Sequence, residues 1–289
     1  MNVMTKTKAK FEVVPLTKHI GAELRGIDLR EKPDDETIHA IYQAWLDHLV
    51  IVFPGQLLSQ SDLVRVTGYF GEMGELHRPP KYRPPGFDKI LPGIMMISNI
   101  RENGEPIGAL PDGEMMFHHD MIHAEVPSKA TLLYSVEIPS AGGNTLFASG
   151  YAAYDTLDPA IRAKLEGRRA LHHYNYGSVQ KGDNKGTEAF GECEHPVFRT
   201  HEDTKKKAVY VNRLMTVKVN GLPQDESDRL LSAVYDHAEK KEFVYEHVWR
   251  LGDLLLWDNR CSSHARTDFP STERRLMLRT TVKGSVRPY

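Results

Sequence analysis

The apolar runs of this chain are short, and turn-forming residues close each of them. Residues 49–53 form one run before Pro54 and Gly55, and residues 254–257 form another after Gly252. Short runs rich in Val, Ile and Leu between Gly, Pro and Asp are typical of buried strands, and they are far too short to span a bilayer. The same reasoning predicts strands at residues 131–136, 196–200, 208–212, 243–248 and 276–282.

Helical periodicity is confined to a few segments. Ile38, Ile41 and Trp45 recur at helical spacing, which predicts a helix over residues 35–48 with an aspartate cap at its start. Further helices are predicted from residue 59 or 61 onward, over residues 158–167 and over residues 225–238. Many strands and few helices favour a β-sandwich or barrel with helices packed outside it.

Composition narrows the class of protein and of partner. The 289 residues carry a net charge of -2, so nothing favours nucleic acid or an anionic membrane as partner. Only two cysteines occur, Cys193 and Cys261, which excludes a disulfide framework and indicates a reducing, cytoplasmic setting. The first ten residues lack the apolar stretch of a secretory signal. We expect one domain over residues 1–289, with its core at about residues 11–284.

Two irregular stretches interrupt the predicted strands. Residues 78–93 are rich in Pro and Gly, which excludes them from a central sheet, and residues 176–195 are rich in Gly and charge. Long loops in compact domains are often lids or binding loops. Regions at about 77–115 and 176–195 are therefore candidate lids, although surface insertions explain them equally well.

A histidine and an aspartate stand two residues apart at His118-His119-Asp120. If the triplet lies in a strand, alternation directs His118 and Asp120 to one face and His119 to the other. Such a pair can fill two positions around one metal ion, yet an isolated triplet is more often a hydrogen-bonded surface feature.

A third candidate ligand strengthens the metal hypothesis. His264 follows the predicted strand 254–257, just beyond its end, where functional sites are commonly built. Two histidines and one carboxylate make the facial triad of non-haem iron(II) oxygenases, which leaves three coordination positions open. Zinc accepts the same ligands, so a zinc hydrolase remains an alternative.

The last predicted strand carries arginines on one of its faces. Alternation places Arg275 and Arg279 together, opposite Leu276 and Leu278. If helices cover the apolar face, the arginines point into the fold, where guanidinium groups need anions. A dicarboxylate co-substrate supplies one, because the guanidinium fork binds carboxylate bidentately. An edge strand with its arginines in water is the alternative.

These motifs, in their order and spacing, resemble the taurine and 2,4-dichlorophenoxyacetate (TauD/TfdA) dioxygenases from about residue 11 to 284. The matching segments are residues 21–29, 118–120 and 139–145, Trp257-Asp-Asn-Arg260 with His264, and Arg274-Arg275 with Arg279. The resemblance implies a mainly β, cupin-like fold, the double-stranded β-helix or jelly roll, with flanking helices.

The resemblance also implies the site. Iron(II) would be held by His118, Asp120 and His264, and 2-oxoglutarate would bind Arg275 and Thr145. Substrate candidates are Arg279, His77, Asn99 and Phe117. The expected reaction uses O2 to hydroxylate a small, anionic organic substrate, with succinate and CO2 as co-products. Hydroxylation beside a heteroatom would cleave an ether or similar bond, and family members commonly form dimers or tetramers.

Three positions depart from the family pattern. Phe117 stands where Trp is usual, and Asn144 stands where Asp is usual before the threonine. The lid motif His-x-His reads His77-Arg78-Pro79, which argues against taurine itself. Arg279 suggests a carboxylate or sulfonate on the substrate, and an aryloxyalkanoate-like or other small carboxylic acid is the leading expectation. A non-catalytic jelly-roll binding protein is the remaining alternative.

Overall fold

The computed structural model describes residues 11–75, 90–108, 113–175, 178–181 and 189–289. The strands are β1 (Glu12–Pro15), β2 (Ala22–Arg25), β3 (Val50–Phe53), β4 (Met95–Ser98), β5 (Arg101–Glu102), β6 (Glu105–Pro106), β7 (Met115–His118), β8 (Ala130–Glu137), β9 (Thr145–Ser149), β10 (Arg169–Asn175), β11 (Ala189–Pro196), β12 (Phe198–Thr200), β13 (Lys207–Val209), β14 (Thr216–Val219), β15 (Val244–His247), β16 (Leu254–Asp258), β17 (Ser262–Arg266) and β18 (Leu276–Val282). The helices are α1 (Asp35–His48), α2 (Gln60–Gly68), α3 (Gly150–Thr156), α4 (Pro159–Leu165) and α5 (Gln224–Ala238), with a 3-10 turn at Lys241–Phe243.

Two sheets face each other. The major sheet has the order β1-β2-β3-β16-β8-β18-β4, antiparallel except for the parallel pair β2 and β3. The minor sheet has the order β15-β9-β17-β7. Leu255 and Met277 of the major sheet pack with Phe147 of the minor sheet in one buried cluster. The predicted mainly β architecture is confirmed, and across the described ranges the two sheets do not close into a barrel.

Helices cover the outer face of the major sheet, as predicted. Trp45 of α1 and Leu63 of α2 are buried against Leu256 and Val282. Asp34 accepts the backbone N–H of Thr37 to cap α1, and the Ser59–Asp62 capping box starts α2. Because helices take the apolar side of β18, its other side faces the minor sheet.

A smaller sheet, β11-β10-β14, packs on α5 through residues such as Ala170, Val219 and Val234. The interpretation of residues 176–195 as irregular is wrong at its C-terminal end, because Ala189–Pro196 forms β11. The backbone of β10 offers β11 a partner along its length, and this pairing overrides the weak strand propensity of its Gly and charged residues. Residues 76–89, 109–112, 176–177 and 182–188 of the two candidate lids lie outside the described residues.

Buried histidines occupy the space between the small sheet and β7. The ring centroids of His172 and His195 lie 5.7 Å apart. The ring centroid of Tyr210 lies 6.0 Å from that of His195 and 4.8 Å from that of His119. His172 accepts from or donates to Thr216, and His195 pairs with the Ala124 carbonyl. Burial lowers the pKa of His195 to about 4 and that of His172 well below its usual value.

None of the helices in the described parts of the chain is long and apolar enough to cross a bilayer.

The buried histidines predict acid sensitivity of the fold. Below about pH 6.5 the unfolded chain protonates His172 and His195 while the folded chain keeps them neutral. The unfolded state then binds more protons, so the free energy of unfolding falls by about 1.4 kcal/mol per pH unit and per ring. For His195 this loss continues down to about pH 4. Urea unfolding from about pH 7.5 down to about pH 5 measures it. His172→Gln is expected to flatten the pH dependence, and an unchanged slope in this variant would contradict the assignment.

Candidate active site

Three candidate ligands converge on the inner face of the minor sheet. His118 ends β7, Asp120 lies in the following turn, and His264 lies in the middle of β17. All three are buried, and their ligand atoms lie within 4.8 Å of one another. His118 and His264 are cross-strand partners with ring centroids 4.1 Å apart. The structure therefore brings together the triad that the sequence predicts.

Two details of the predicted placement are wrong. Asp120 is not in a strand with His118, because β7 ends at His118. His264 does not trail the strand that ends at Asp258, since residues 259–261 turn the chain into β17, which pairs with β7 and β9 of the other sheet. The ligands meet because a tight turn carries the chain from the major to the minor sheet.

A chain of buried hydrogen bonds orients the Asp120 carboxylate. Thr131 of β8 donates its hydroxyl to Asp120 Oδ2 over 2.6 Å. Asn259 donates to the Thr131 hydroxyl over 3.0 Å, and Trp257 Nε1 donates to Asn259 Oδ1 over 3.0 Å. Each donor is fixed by the next, so Oδ2 is engaged and Oδ1 is directed toward His264 Nε2, 3.8 Å away. Such outer contacts set ligand orientation at metal sites.

The charge states of the triad suit a divalent cation. Burial lowers the pKa of His118 and His264, which keeps both imidazoles neutral. Burial alone would raise the pKa of Asp120, but the Arg279 guanidinium and the hydrogen bond from Thr131 hold it below its ordinary value, so the carboxylate is ionised. His118 Nδ1 pairs with the Met116 carbonyl at 2.9 Å, which leaves Nε2 available as ligand atom. Two neutral imidazoles and one carboxylate fit iron(II).

A second cluster, His201, Asp258 and Cys261, also has its ligand atoms within 4.8 Å of one another. Here Arg260 already satisfies the Asp258 carboxylate with bonds of 2.9 Å and 2.7 Å, and His201 adds one of 3.0 Å. Burial raises the pKa of the Cys261 thiol well above its usual value. This cluster is a closed polar network, so it is not a metal site.

Arg275 is a buried cation at the start of the strand that carries Arg279. It precedes β18 and is 2% exposed. Its Nη2 donates to the Gly143 carbonyl at 3.3 Å, while Nε and Nη1 have no partner within the described ranges. Burial, followed by repulsion from Arg266, lowers the pKa of Arg275 to about 9. An unpaired guanidinium inside a protein is costly, which indicates that an anion completes this site.

Thr145 is the first residue of β9, in the minor sheet. It is buried, and its hydroxyl oxygen accepts from Trp249 Nε1 over 3.1 Å. The hydroxyl hydrogen is therefore available to a second acceptor. Its cross-strand partner on β17 is Arg266, two residues beyond His264. The predicted co-substrate residues Thr145 and Arg275 thus stand on facing sheets.

Arg279 points to the triad from β18. Its Nη2 lies 2.6 Å from Asp120 Oδ1, and its side chain is 22% exposed. Among the residues described, Nε has no hydrogen-bond partner. The guanidinium can therefore bind a further anion while it remains beside Asp120, since it offers five donors.

The other substrate candidates have less direct support. Asn99 accepts the N–H of Arg275 over 2.9 Å and donates to the Glu273 carbonyl over 2.8 Å, so it fixes the backbone that carries Arg275. Strand alternation in β7 directs Phe117 to the face opposite His118. His77 lies outside the described residues. All three remain predictions as substrate contacts.

Sequence reasoning missed several residues that shape this site. Thr131 and Trp249 are ordinary strand and loop residues whose roles depend on contacts with Asp120 and Thr145, far away in the chain. Asn259 was part of a recognised motif, but its bond to Thr131 has no signal in the sequence. Arg266 could have been found, because it follows His264 at the spacing that places two strand residues on one face.

Comparison with known proteins agrees with this geometry. Residues 12–281 match the family described as taurine catabolism dioxygenase TauD, TfdA family. The chain is 31% identical over 280 residues to the alpha-ketoglutarate-dependent 2,4-dichlorophenoxyacetate dioxygenase of Cupriavidus pinatubonensis, with 93% of this chain and 96% of that protein covered. It is 29% identical over 285 residues to the (S)-phenoxypropionate/alpha-ketoglutarate-dioxygenase of Sphingobium herbicidovorans, with 95% of each covered.

Solved structures lead to the same family. The crystal structure of a taurine dioxygenase from Burkholderia xenovorans matches with a TM-score of 0.78 and 31% identity, covering 96% of this chain and 92% of that one. The chain therefore belongs to the TauD/TfdA family of iron(II)- and 2-oxoglutarate-dependent dioxygenases, which confirms the jelly-roll fold, the enzyme class and the cofactors that the sequence predicts.

Proposed function

We propose that this dioxygenase hydroxylates a small organic carboxylate of the aryloxyalkanoate type beside its ether oxygen, so that the product breaks down and the ether is cleaved. The observation that carries the assignment is the buried Arg275 guanidinium, whose Nε and Nη1 lack partners among the described residues. It stands at the start of the strand whose Arg279 contacts the triad of metal-ligand type. Relatives that act on 2,4-dichlorophenoxyacetate and (S)-phenoxypropionate, and the absence of the lid His-x-His, favour a carboxylate over taurine.

In this proposal His118, Asp120 and His264 hold iron(II). Bound iron(II) and 2-oxoglutarate supply the oxygen-dependent hydroxylation, with succinate and CO2 as co-products. The protein holds the ligands in fixed orientations: the Met116 carbonyl orients His118, and Thr131 orients Asp120. The burial of all three limits the access of water to the reacting centre.

Arg275 and Thr145 would bind the far carboxylate of 2-oxoglutarate. The carboxylate would accept from one edge of the Arg275 guanidinium, where unpartnered donors are available, and would also accept the Thr145 hydroxyl hydrogen. Asn99 holds the main chain of Arg275, which fixes the guanidinium before the ligand arrives. Arg279, partly exposed at the edge of the same site, would hold the carboxylate of the substrate and so place its C–H bond near the metal.

The two alternatives explain less of the site. A zinc hydrolase would use the triad but would give Arg275 and Thr145 no anion to bind. A non-catalytic binding protein would use the arginines but would not need a carboxylate oriented by three successive hydrogen bonds. Oxygen-dependent succinate formation separates the dioxygenase from both.

The proposal also covers the cellular location and the assembly of the enzyme. Neither Cys193 nor Cys261 forms a disulfide, which supports a reducing compartment, the cytoplasm. The family resemblance supports a single catalytic domain that assembles as a homodimer or homotetramer.

Replacing Arg275 tests the co-substrate site. In Arg275→Gln the co-substrate carboxylate loses its buried cation, which costs roughly 2–5 kcal/mol and weakens 2-oxoglutarate binding by about 30-fold or more. Anaerobic titration with Fe(II) and 2-oxoglutarate, followed by the visible band of the chelate, measures the change. The ligand-free variant is expected to be at least as stable as wild type, because it no longer buries an unpaired charge. Equal binding by variant and wild type would exclude this role of Arg275.

Replacing Thr131 tests the orientation of Asp120. Thr131→Val keeps the shape of the side chain and removes the donor to Asp120 Oδ2, so metal affinity is expected to fall about 10- to 100-fold. Calorimetric titration with Mn(II) measures it. Thr156→Val is the matched control, since among the described residues the Thr156 hydroxyl bonds within α3 and to His237. Unchanged Mn(II) affinity in Thr131→Val would show that Asp120 needs no such donor.

Replacing Arg279 tests the substrate anion. Arg279→Gln is expected to raise the concentration of an aryloxyacetate needed to perturb the Fe(II)–2-oxoglutarate band by about tenfold or more, the effect of about 1.4 kcal/mol. Binding of 2-oxoglutarate itself should change by no more than about twofold, or about 0.4 kcal/mol. An uncharged aryl ether serves as control ligand and should respond equally in both proteins. Loss of 2-oxoglutarate binding instead would assign Arg279 to the metal centre.

A further inference from the structure

Arg266 lies on the same inner face as the residues proposed to bind 2-oxoglutarate. It is two residues from His264 in β17, and its register partner in β9 is Thr145. Directly opposed residues of an antiparallel pair direct their side chains to one side of the sheet. Arg266 is 8% exposed, so its guanidinium is inside the fold.

Arg266, from a strand of the minor sheet, and Arg275, from the start of a strand of the major sheet, both lie beside Phe269. The centroid of the Phe269 ring lies 5.9 Å from the guanidinium carbon of each arginine, so both cations lie next to one aromatic ring. Arg275 is anchored to the Gly143 carbonyl, and Arg266 donates to the Gly113 carbonyl. Both anchors lie in loops that lead into the minor sheet, Gly143 before β9 and Gly113 before β7.

The two buried cations repel each other. Repulsion from Arg266 contributes to the lowered pKa of Arg275, for which no compensating carboxylate is found among the described residues. A carboxylate between the two would remove the repulsion, and its two oxygens have about four acceptor positions. Arg275 alone cannot donate to all of these acceptor positions from one side of the carboxylate, and Thr145 adds a single donor.

We propose that Arg266 is a second binding residue for the far carboxylate of 2-oxoglutarate, which it would grip from the minor sheet while Arg275 grips it from the major sheet. This inference rests on the proposed co-substrate role of Arg275 and Thr145. It predicts that selectivity for dicarboxylic over monocarboxylic 2-oxo acids depends on both arginines. A purely structural Arg266 would hold Gly113 and have no effect on this selectivity.

The test compares two 2-oxo acids on the Mn(II)-loaded protein by calorimetry. 2-Oxoglutarate has the far carboxylate, and 2-oxovalerate has the same keto-acid end and a methyl group in its place. In Arg266→Gln, 2-oxoglutarate is expected to bind at least tenfold more weakly, while 2-oxovalerate changes by less than twofold. Arg266→Lys should recover part of the loss. Arg213→Gln, which removes an arginine paired with Asp236 and Glu239 at α5, should match wild type.

The outcomes are distinct. Equal weakening of both acids in Arg266→Gln, or no weakening of either, overturns the role of Arg266 and leaves the proposed function intact. If wild type does not prefer 2-oxoglutarate over 2-oxovalerate, the proposed co-substrate site fails, and this inference fails with it. If Arg266→Gln does not fold, Arg266→Lys is used in its place. Because lysine holds its charge on a shorter side chain, the preference for 2-oxoglutarate over 2-oxovalerate should fall below the wild-type value.

Discussion

The segment from Trp257 to Arg260, which ends β16 and enters the turn at residues 259–261, is the constraint on which the rest of the site depends. It joins β16 of the major sheet to β17 of the minor sheet, so it sets where His264 lies relative to Asp120. The Asp258 carboxylate accepts from the backbone and side chain of Arg260, and this buried pair stabilises the turn from within. Asn259 of the same segment donates to the Thr131 hydroxyl, which in turn donates to Asp120. One short segment thus fixes both the sheet connection and a ligand.

At one point in the interior of the protein, the described neighbours of a positively charged side chain do not balance its charge. Asp258 and Arg260 neutralise each other, and Arg279 stands against Asp120. Arg275 is different, because within the described ranges its Nε and Nη1 find no acceptor. Burying such a charge lowers the stability of the ligand-free protein, and binding of an anion restores it. Function at this site therefore comes at a cost in stability, as is common for active sites.

The sequence was informative where a local pattern determines structure. The helical spacing of Ile41 and Trp45 identified α1, and short apolar runs identified β3, β16 and β18, because burial on one or two faces imposes a period that is visible in the chain. It was less informative at β11, where strand formation depends on the neighbouring β10. The triad was found by residue type and family pattern, although the supposed strand through Asp120 ends at His118.

The sequence by itself determined the mainly β class, the flanking helices and the residues that can serve as ligands, since these follow from periodicity and from side-chain chemistry. Only the tertiary structure decided which of them meet. The donors to Asp120 and Thr145, Thr131 and Trp249, come from elements distant in the chain, and Arg266 and Arg275 converge from facing sheets. Hydrogen bonds require contact between donor and acceptor, and charge repulsion depends on the distance between the groups through space. They therefore depend on how the sheets pack, which no local pattern records.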